Sequence, residues 1–363
     1  MDTGIYIHVP FCARKCGYCD FYSGKFTKEL SEGFTDAVIR NLRAFSGEHH
    51  TAKTVYFGGG TPSLLSTEQL RRIMDEVRRS FCLVPDAEVT MEANPSTLTA
   101  EKLSGTLSTG INRLSIGVQS MSAEELRFLG RNHSPERAAK AVADAAAAGF
   151  RNISCDLMLA LPDQSADTLM NSIHRLAELP VQHISAYILK VEEGTPFCQQ
   201  GIAELLPDED RSAELYLTMV KELEALGFMQ YEISNFSIPG FESRHNCRYW
   251  QCRDYIGIGP SAHSCHNGVR YVVPPDIQSF ISSPVQQTEV TDPSPCGPEE
   301  YSMLRLRLKE GLMLSRVPEL RTDIEKKLPL LLREGYVNYD GNILSLTPKG
   351  FLVSNQIIGH LVF

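Results

Sequence analysis

The stretch that decides the fold is YIHVPFCARKCGYCDF, residues 6–21. Just before and within it, residues 5–9 (IYIHV) form an alternating run that is typical of a β-strand. The strand leads into a loop that holds Cys12, Cys16 and Cys19, spaced as CxxxCxxC. Three thiols grouped directly after a strand predict a metal centre at the carboxyl end of that strand.

The loop offers three thiolates, and no fourth cysteine lies close by in the sequence. Three thiolates can hold three irons of a [4Fe-4S] cluster and leave the fourth iron open. A structural zinc site is the alternative, although zinc takes four ligands and more often uses CxxC pairs. A chance grouping of buried thiols is a further alternative. The spacing favours the iron-sulfur cluster.

Composition limits the classes of protein to consider. The 363 residues are 42% hydrophobic and 22% charged, with a formal net charge of -9. This acidic balance argues against broad attraction to nucleic acid and favours small-molecule partners. We find no signal-like segment and no apolar run of about 18 residues. The ten cysteines are typical of reduced thiols or metal ligands, so we expect a cytoplasmic protein without a membrane span.

Short β-like runs alternate with helical stretches from residue 5 to about residue 230, the pattern of parallel βα units. We predict strands at residues 5–9, 54–57, 88–92, 113–118, 153–159 and 183–189. Capping residues at Ser66, Ser122 and Ser134 mark helix starts. Polar and glycine-rich sets follow the strands, whose carboxyl ends meet at one face of a parallel barrel. The prediction is an α/β fold, a partial (βα)6 TIM-like barrel with one site.

The pattern changes beyond this region, and we predict three parts. The barrel covers residues 1–235, and a Gly/Pro-rich connecting segment with the sequence HNCRYW covers residues 236–298, with a linker at 274–298. Residues 299–363 contain helices followed by Asp340-Gly341 between two β-like runs, which is a hairpin signal. We expect a small winged-helix-like α+β domain there.

The chain resembles the radical S-adenosylmethionine (SAM) superfamily along nearly its whole length. More narrowly, it resembles the branch that holds oxygen-independent coproporphyrinogen III oxidase and its haem-chaperone relatives of the HemW type. The motifs that carry the resemblance follow the cysteine loop in order: YFGGGTPS, MEANPS, RLSIGVQS, LGRNHS, DLMLALP, HISAYIL, YEISNF, SRHNCRYW and DYIGIGPSAHS.

The resemblance implies a [4Fe-4S] cluster on Cys12, Cys16 and Cys19, with SAM on the open iron. Taken singly, each matched polar residue is equally well explained as a structural hydrogen-bond or salt-bridge partner. His8 also matches a family position, and a strand-end histidine with structural partners explains it as well. The positions that match SAM contacts in the family are Tyr6, Tyr18, Gly59, Gly60, Thr61, Glu92, Gln119, Arg131 and Asp156.

Two departures from the family pattern bear on function. The oxidase branch carries another cysteine two residues after the third ligand. This chain has Phe21 at that position, and the chaperone branch likewise lacks the cysteine. Ala160 replaces a usual glycine in DLMLALP. We therefore expect a haem chaperone, with coproporphyrinogen III oxidase as the alternative. SAM cleavage is expected from the family, but enzymatic activity stays open.

The HNCRYW segment resembles the HNxxYW motif of the chaperone branch, in which the histidine is proposed to ligate haem iron. The resemblance makes His245 the candidate haem ligand, with Tyr249 and Trp250 available to pack on the macrocycle. Five further residues that lie close together in the sequence suggest a second metal site: Cys247, Cys252, His263, Cys265 and His266. The alternative explanation is that the cysteines are small buried side chains.

The resemblance also implies partners. These are haem or a porphyrinogen, apo-haemoproteins as recipients (some of them membrane-associated), and an electron donor such as flavodoxin or ferredoxin. A homodimer is possible. A DNA-binding regulator that uses the carboxyl-terminal domain is a third hypothesis, but that domain shows no basic stripe, so we expect no nucleic acid partner.

Overall fold

The structure is a computed structural model, and it describes residues 2–363. All six predicted strands are present and run parallel to one another. They are β1 (Asp2–Val9), β2 (Thr51–Gly59), β3 (Cys82–Ala93), β4 (Arg113–Gln119), β5 (Asn152–Leu159) and β6 (His183–Ile188). The helices between them are α1 (Lys28–Ala44), α2 (Thr67–Ser80), α3 (Ala100–Ser108), α4 (Ala123–Phe128), α5 (Pro135–Ala148) and α6 (Ala166–Ala177).

The predicted helix starts are confirmed. Ser66 accepts a hydrogen bond from the backbone N–H of Gln69, whose side chain accepts from the Ser66 backbone, so α2 begins with a capping box. Ser122 and Ser134 cap α4 and α5 by accepting hydrogen bonds from the backbone N–H groups of Glu125 and Arg137, without the reciprocal bond. Because the six strands are parallel, the turns that lead from strand to helix lie at one end of the sheet.

The sheet contains twelve strands, more than the sequence predicted. After α7 (Pro196–Gln199) and α8 (Glu209–Ala225), β7 (Met229–Glu232) and β8 (Asn235–Ser237) extend it beyond β6. At the other edge β9 (Tyr255–Ile258) pairs parallel with β1 as a seventh parallel strand. β10 (His263–His266), β11 (Val269–Val272) and β12 (Glu289–Asp292) continue antiparallel from it. Within residues 2–363, β7 and β12 do not pair with each other, so the barrel is open.

The segment 236–298 is therefore part of the main sheet rather than only a connection. It contributes strands β9 to β12 and two helices, α9 (Arg244–Trp250) and α10 (Ile277–Ser282). The stretch 274–298, for which composition predicted a linker, holds α10 and β12. The division of the chain into domains stays a prediction.

Helix α9 closes the amino-terminal end of the barrel. Glu88, near the start of the inward-facing part of β3, accepts hydrogen bonds from the backbone N–H groups of Arg244 and His245 at 3.0 Å each. Arg248 bonds the Asp2 carboxylate at 3.0 Å and packs so close to Gly4 that a Cβ there would lie 2.8 Å from its Cδ. Asp2 and Gly4 lie at the start of β1, and Glu88 is level with Gly4 because both pair with Thr54, so α9 lies opposite the cysteine loop.

The carboxyl-terminal residues form the predicted helices and hairpin. Helices α11 (Pro298–Arg305), α12 (Pro318–Arg333), α13 (Pro348–Leu352) and α14 (Ser354–Val362) accompany a three-stranded sheet of β13 (Leu312–Met313), β14 (Val337–Tyr339) and β15 (Ile343–Leu346). The Asp340-Gly341 turn joins β14 to β15, with Gly341 at φ +99°. The guanidinium of Arg307 lies 4.3 Å from the Trp250 ring centroid, so this domain rests on α9.

We expect Glu88→Ala to destabilise the protein, because it removes the acceptor for two backbone donors of α9. Hydrogen bonds to a charged group are each worth about 1.5–3 kcal/mol, so a loss of that order or more is expected in the free energy of unfolding measured with urea. Asp86→Ala is the matched control, since Asp86 is exposed and pairs with Arg244 at the surface. Equal losses in both variants would contradict the role given to Glu88.

Candidate functional site

The cysteine loop lies at the carboxyl end of β1, where Cys12, Cys16 and Cys19 are all half-buried. The Thr61 hydroxyl donates to Cys12 Sγ over 3.6 Å, and Arg131 Nη1 donates to Cys16 Sγ over 3.4 Å. The fold therefore brings the loop together with the GGGTP turn after β2 and with the segment after α4, as the sequence predicted.

The arrangement of the three thiols fits a cluster better than a single zinc ion. Within residues 2–363 they do not form a group whose ligand atoms all lie within 4.8 Å of one another. A tetrahedral zinc ion with Zn–S bonds of about 2.3 Å would hold its sulfurs about 3.8 Å apart. Soft thiolate donors suit the irons of a [4Fe-4S] cluster, and a cluster on these three cysteines stays the prediction.

His8 and Phe197 contact residues in and directly after the cysteine loop. The His8 ring is buried, with Nε2 2.9 Å from the Tyr22 carbonyl oxygen and Nδ1 3.1 Å from the Tyr6 hydroxyl, which is the structural explanation left open by the sequence. Phe197 packs edge-on against Tyr18 and donates its backbone N–H to the Gly17 carbonyl at 2.9 Å. Sequence analysis missed Phe197, because no pattern links it to the loop.

The glycines of GGGTP are required by packing within the protein. A Cβ on Gly59, which has φ +104°, would lie 2.7 Å from the His8 ring. A Cβ on Gly60 would lie 2.5 Å from the Phe11 carbonyl oxygen. The backbone of the GGGTP turn therefore packs closely against β1 and the start of the cysteine loop. The contact of Gly59, Gly60 and Thr61 with SAM stays a prediction.

Two carboxylates project into the barrel behind the loop. Glu92 accepts hydrogen bonds from the Tyr56 hydroxyl at 2.8 Å and from the Gly59 backbone N–H at 3.1 Å. Asp156 accepts from the Ser115 hydroxyl at 3.2 Å. Burial raises the pKa of Glu92 to about 7 and that of Asp156 to about 6. Both groups change charge near neutral pH, and Tyr56 is a partner that the sequence analysis did not identify.

Arg131 connects the loop to the strands. Its Nη2 donates to the Gly117 carbonyl oxygen at 2.7 Å, and its charge lowers the pKa of Asp156 against the larger effect of burial. Gln119 ends β4 in the left-handed region, at φ +69°. A Cβ on Gly117 would lie 3.1 Å from both the Arg131 and the Gln119 side-chain nitrogens. Eight of the nine predicted SAM positions lie in the carboxyl-terminal halves of strands or in the loops that follow them, and Arg131 lies in the segment after α4.

His245 does not lie in this group. Its side chain on α9 is fully buried, with Nδ1 2.8 Å from the Thr54 hydroxyl and Nε2 2.8 Å from the Tyr249 hydroxyl. Burial lowers its pKa to about 3. Both ring nitrogens are occupied and the ring is closed to solvent, so the structure does not present His245 to a haem iron.

The second group of cysteines and histidines predicted from sequence does not converge on one point. Cys247 lines a cavity beside α9, and His263 is exposed near His8. Cys252 and Cys265 both lie beside Cys296, which the sequence analysis did not consider. His266 faces Glu48 and His50, which lie just before β2. The five residues therefore do not make one metal site.

Comparison with known proteins agrees with this geometry. A model of the radical SAM superfamily matches residues 6–176, and the HemN C-terminal domain matches residues 298–353. Coproporphyrinogen III oxidase (HemN) from Escherichia coli, a solved structure, aligns with a TM-score of 0.83 at 21% identity over 99% of this chain and 90% of its own, which shows the fold. The fold is that of a radical SAM protein, a class that holds a [4Fe-4S] cluster and SAM.

Full-length relatives narrow the assignment. Proteins named heme chaperone HemW are 37% identical in Mycobacterium tuberculosis (99% of this chain and 94% of the relative) and 35% identical in Bacillus subtilis (98% and 97%). The Escherichia coli protein of that name is 34% identical over 98% of this chain and 96% of its own length. The chain belongs to the HemW family. No helix within residues 2–363 has the length and apolar character needed to cross a membrane.

The family resemblance implies that Glu92 accepts hydrogen bonds from the ribose hydroxyls of SAM. We expect Glu92→Gln to weaken SAM binding about tenfold, since a charge-assisted acceptor of this kind contributes about 1.5 kcal/mol or more. Because hydroxyl donors favour the ionised form, wild-type affinity should rise as pH increases through about 7, the pKa of Glu92, and the variant should keep only the dependence contributed by Asp156, whose pKa is about 6. Equilibrium dialysis of the reconstituted protein at pH 6 and pH 8 measures both effects. The control is Glu125→Gln, a buried carboxylate that bonds Ser120 and Gln164 outside the site. Equal affinities of Glu92→Gln and wild type at pH 8 would refute the ribose contact.

Proposed function

We propose that this protein is an iron-sulfur, SAM-binding haem chaperone that binds haem and delivers it to apo-haemoproteins. The observation that carries the proposal is the match of the heme chaperones to 98–99% of this chain, which includes the barrel, α9 and the carboxyl-terminal domain. A cluster on Cys12, Cys16 and Cys19 would supply electron transfer to SAM, and the protein would bind and orient SAM.

Coproporphyrinogen III oxidase is the second candidate, because the HemN structure shares the fold over 99% of this chain. Phe21 stands where the oxidase branch has its additional cysteine, and 59% of its surface is exposed. The Phe21 side chain therefore supplies neither a thiol nor a buried contact at this position. This difference favours the chaperone.

We place the haem cargo in a cavity of about 700 Å³ between α9 and residues 308–310. The volume lies within the range of about 300–1,000 Å³ found for ligand pockets. Met229, Tyr231 and Leu308 give it apolar surface, while Arg253 and Lys309 are cations suited to haem propionates. The HNCRYW helix thus forms a wall of the cavity even though His245 is buried behind it.

Cys247 is the residue of that helix that we propose as the contact to haem iron. It lines the cavity, whereas His245 would have to break two hydrogen bonds to reach it. Burial raises the pKa of the Cys247 thiol to about 12, so the thiol is protonated when no metal is present. Metal binding to such a thiol releases its proton.

Further partners complete the proposal. An electron donor such as flavodoxin or ferredoxin would reduce the cluster, and recipients would include membrane-associated haemoproteins. A homodimer is a further part of the proposal, and delivery takes place in the cytoplasm. The acidic net charge of -9 supports the expectation that no nucleic acid is bound.

The two candidate functions are separated by an anaerobic assay. We expect the reconstituted protein to bind haem and to form no protoporphyrinogen from coproporphyrinogen III, SAM and reductant. Cys16→Ser should abolish the broad iron-sulfur absorbance, because one of three cluster ligands is lost. Cys198→Ser, an exposed cysteine outside the loop, is the control. Sustained protoporphyrinogen formation would contradict the chaperone function and support the oxidase function.

Haem titration tests the cavity. We expect Cys247→Ser to weaken haem binding at least tenfold and to remove any thiolate signature from the haem spectrum. Cys82→Ser, an exposed cysteine at the start of β3, should bind like wild type. His245→Ala should lower the melting temperature, because it leaves Thr54 and Tyr249 without their buried partner. If Cys247→Ser bound haem like wild type while a folded His245→Ala did not, the histidine would be the ligand.

A further inference from the structure

Two buried histidines face each other at the amino-terminal edge of the sheet, opposite the cysteine loop. His50 immediately precedes β2 and is fully buried, and His266 ends β10 with 6% of its surface exposed. Their ring centroids are 4.9 Å apart, with an angle of 70° between the rings. The two residues are far apart in sequence and meet because β9, which precedes β10, pairs with β1, which pairs with β2.

A carboxylate joins the pair. Oε2 of Glu48 lies 2.8 Å from His50 Nε2 and 3.9 Å from His266 Nε2. Within residues 2–363 these three residues are the one group whose metal-ligating atoms all lie within 4.8 Å of one another. Ligands bound at about 2.1 Å to a tetrahedral ion are about 3.4 Å apart, so the two distances lie on either side of the required spacing.

The histidines have nitrogens without partners. Among residues 2–363, Nδ1 of His50 and both ring nitrogens of His266 make no hydrogen bond. Nδ1 of His266 lies 3.4 Å from Asp254 Oδ2, but not in hydrogen-bond geometry. Buried polar groups almost always have a partner. A metal ion between the rings would give His266 Nε2 the partner that it lacks.

The surroundings resemble those of known metal centres. Nε2 of His266 faces Glu48, and Nδ1 lies 3.4 Å from the Asp254 carboxylate, so that a small rotation of the ring on metal binding would let Nδ1–H donate to Asp254, as carboxylates orient metal-binding histidines. Phe45 and Phe81 contact the rings and exclude water from one side. On the other side, 46% of the Glu48 side chain is exposed, which gives an ion a path from solvent.

We propose that Glu48, His50 and His266 bind one divalent transition-metal ion of the zinc class, with Asp254 as a positioning residue for His266. Two imidazoles and one carboxylate suit zinc, whereas calcium and magnesium prefer oxygen ligands alone. Three protein ligands leave a fourth position for water. The ion would join β10 to the start of β2 and so hold the seventh parallel strand in place.

Cobalt(II) is the probe, because its visible spectrum distinguishes nitrogen and oxygen ligands from thiolates. The full-length, cluster-containing protein should bind one tight equivalent of Co²⁺ without thiolate charge-transfer bands, and Zn²⁺ should displace it. His266→Gln and Glu48→Gln should lose this equivalent. Asp254→Asn should weaken the affinity about 10–100-fold, as loss of a positioning carboxylate does. His174→Gln, an exposed histidine on α6 that pairs with Glu222, is the control and should bind like wild type.

Thermal unfolding separates loss of the site from loss of the fold. Zn²⁺ should raise the melting temperature of wild type and of His174→Gln, but not of Glu48→Gln. Because 46% of the Glu48 side chain is exposed, we expect Glu48→Gln to fold. The proposal is overturned if wild type binds no Co²⁺ outside the cysteine loop. It is also overturned if a folded Glu48→Gln retains wild-type affinity or if the bound Co²⁺ shows thiolate coordination.

Discussion

Backbone contact between the GGGTP turn and the start of the cysteine loop is the constraint on which the site depends. Gly60 N–H donates to the Val9 carbonyl at 2.8 Å, and Thr61 N–H donates to the Phe11 carbonyl at 2.6 Å. A side chain at Gly60 would meet the Phe11 carbonyl oxygen at 2.5 Å, so only glycine permits this approach. These backbone hydrogen bonds anchor the start of the loop and place Cys12 beside Thr61.

Closure of the opposite end by α9 determines the chemistry inside the barrel. With Glu88 holding the start of α9, the interior is shielded from water on that side, and burial raises the pKa values of Glu92 and Asp156 toward neutrality. The His245 ring stacks on Tyr56 and Tyr6 with centroids 5.1 and 6.3 Å away. A ring stack therefore connects α9 to the strand that carries the cysteine loop, while the proposed haem cavity lies on the outer side of α9.

The six parallel strands and the caps at Ser66, Ser122 and Ser134 were predictable, because periodicity and capping are local signals. The position of Cys12 beside the GGGTP turn was predictable as well, because the loop and the turn each directly follow a parallel strand, while the cluster on these cysteines stays a prediction. Strands β9 to β12 were missed because each has only four residues and the surrounding Gly and Pro favour a loop reading. Phe197 and Tyr56 were missed because their roles depend on contacts with distant segments.

The sequence by itself determined the class of protein, the order of the βα units and the place of the cysteine loop after the first strand, because these depend on residues that are close together along the chain. Only the tertiary structure decided the environment of each side chain. It buried His245 between Thr54 and Tyr249, left Cys247 on a cavity wall, and brought His266 to His50 and Glu48. The physical reason is that burial and ligand geometry arise from strand pairing between distant segments, which no local pattern encodes.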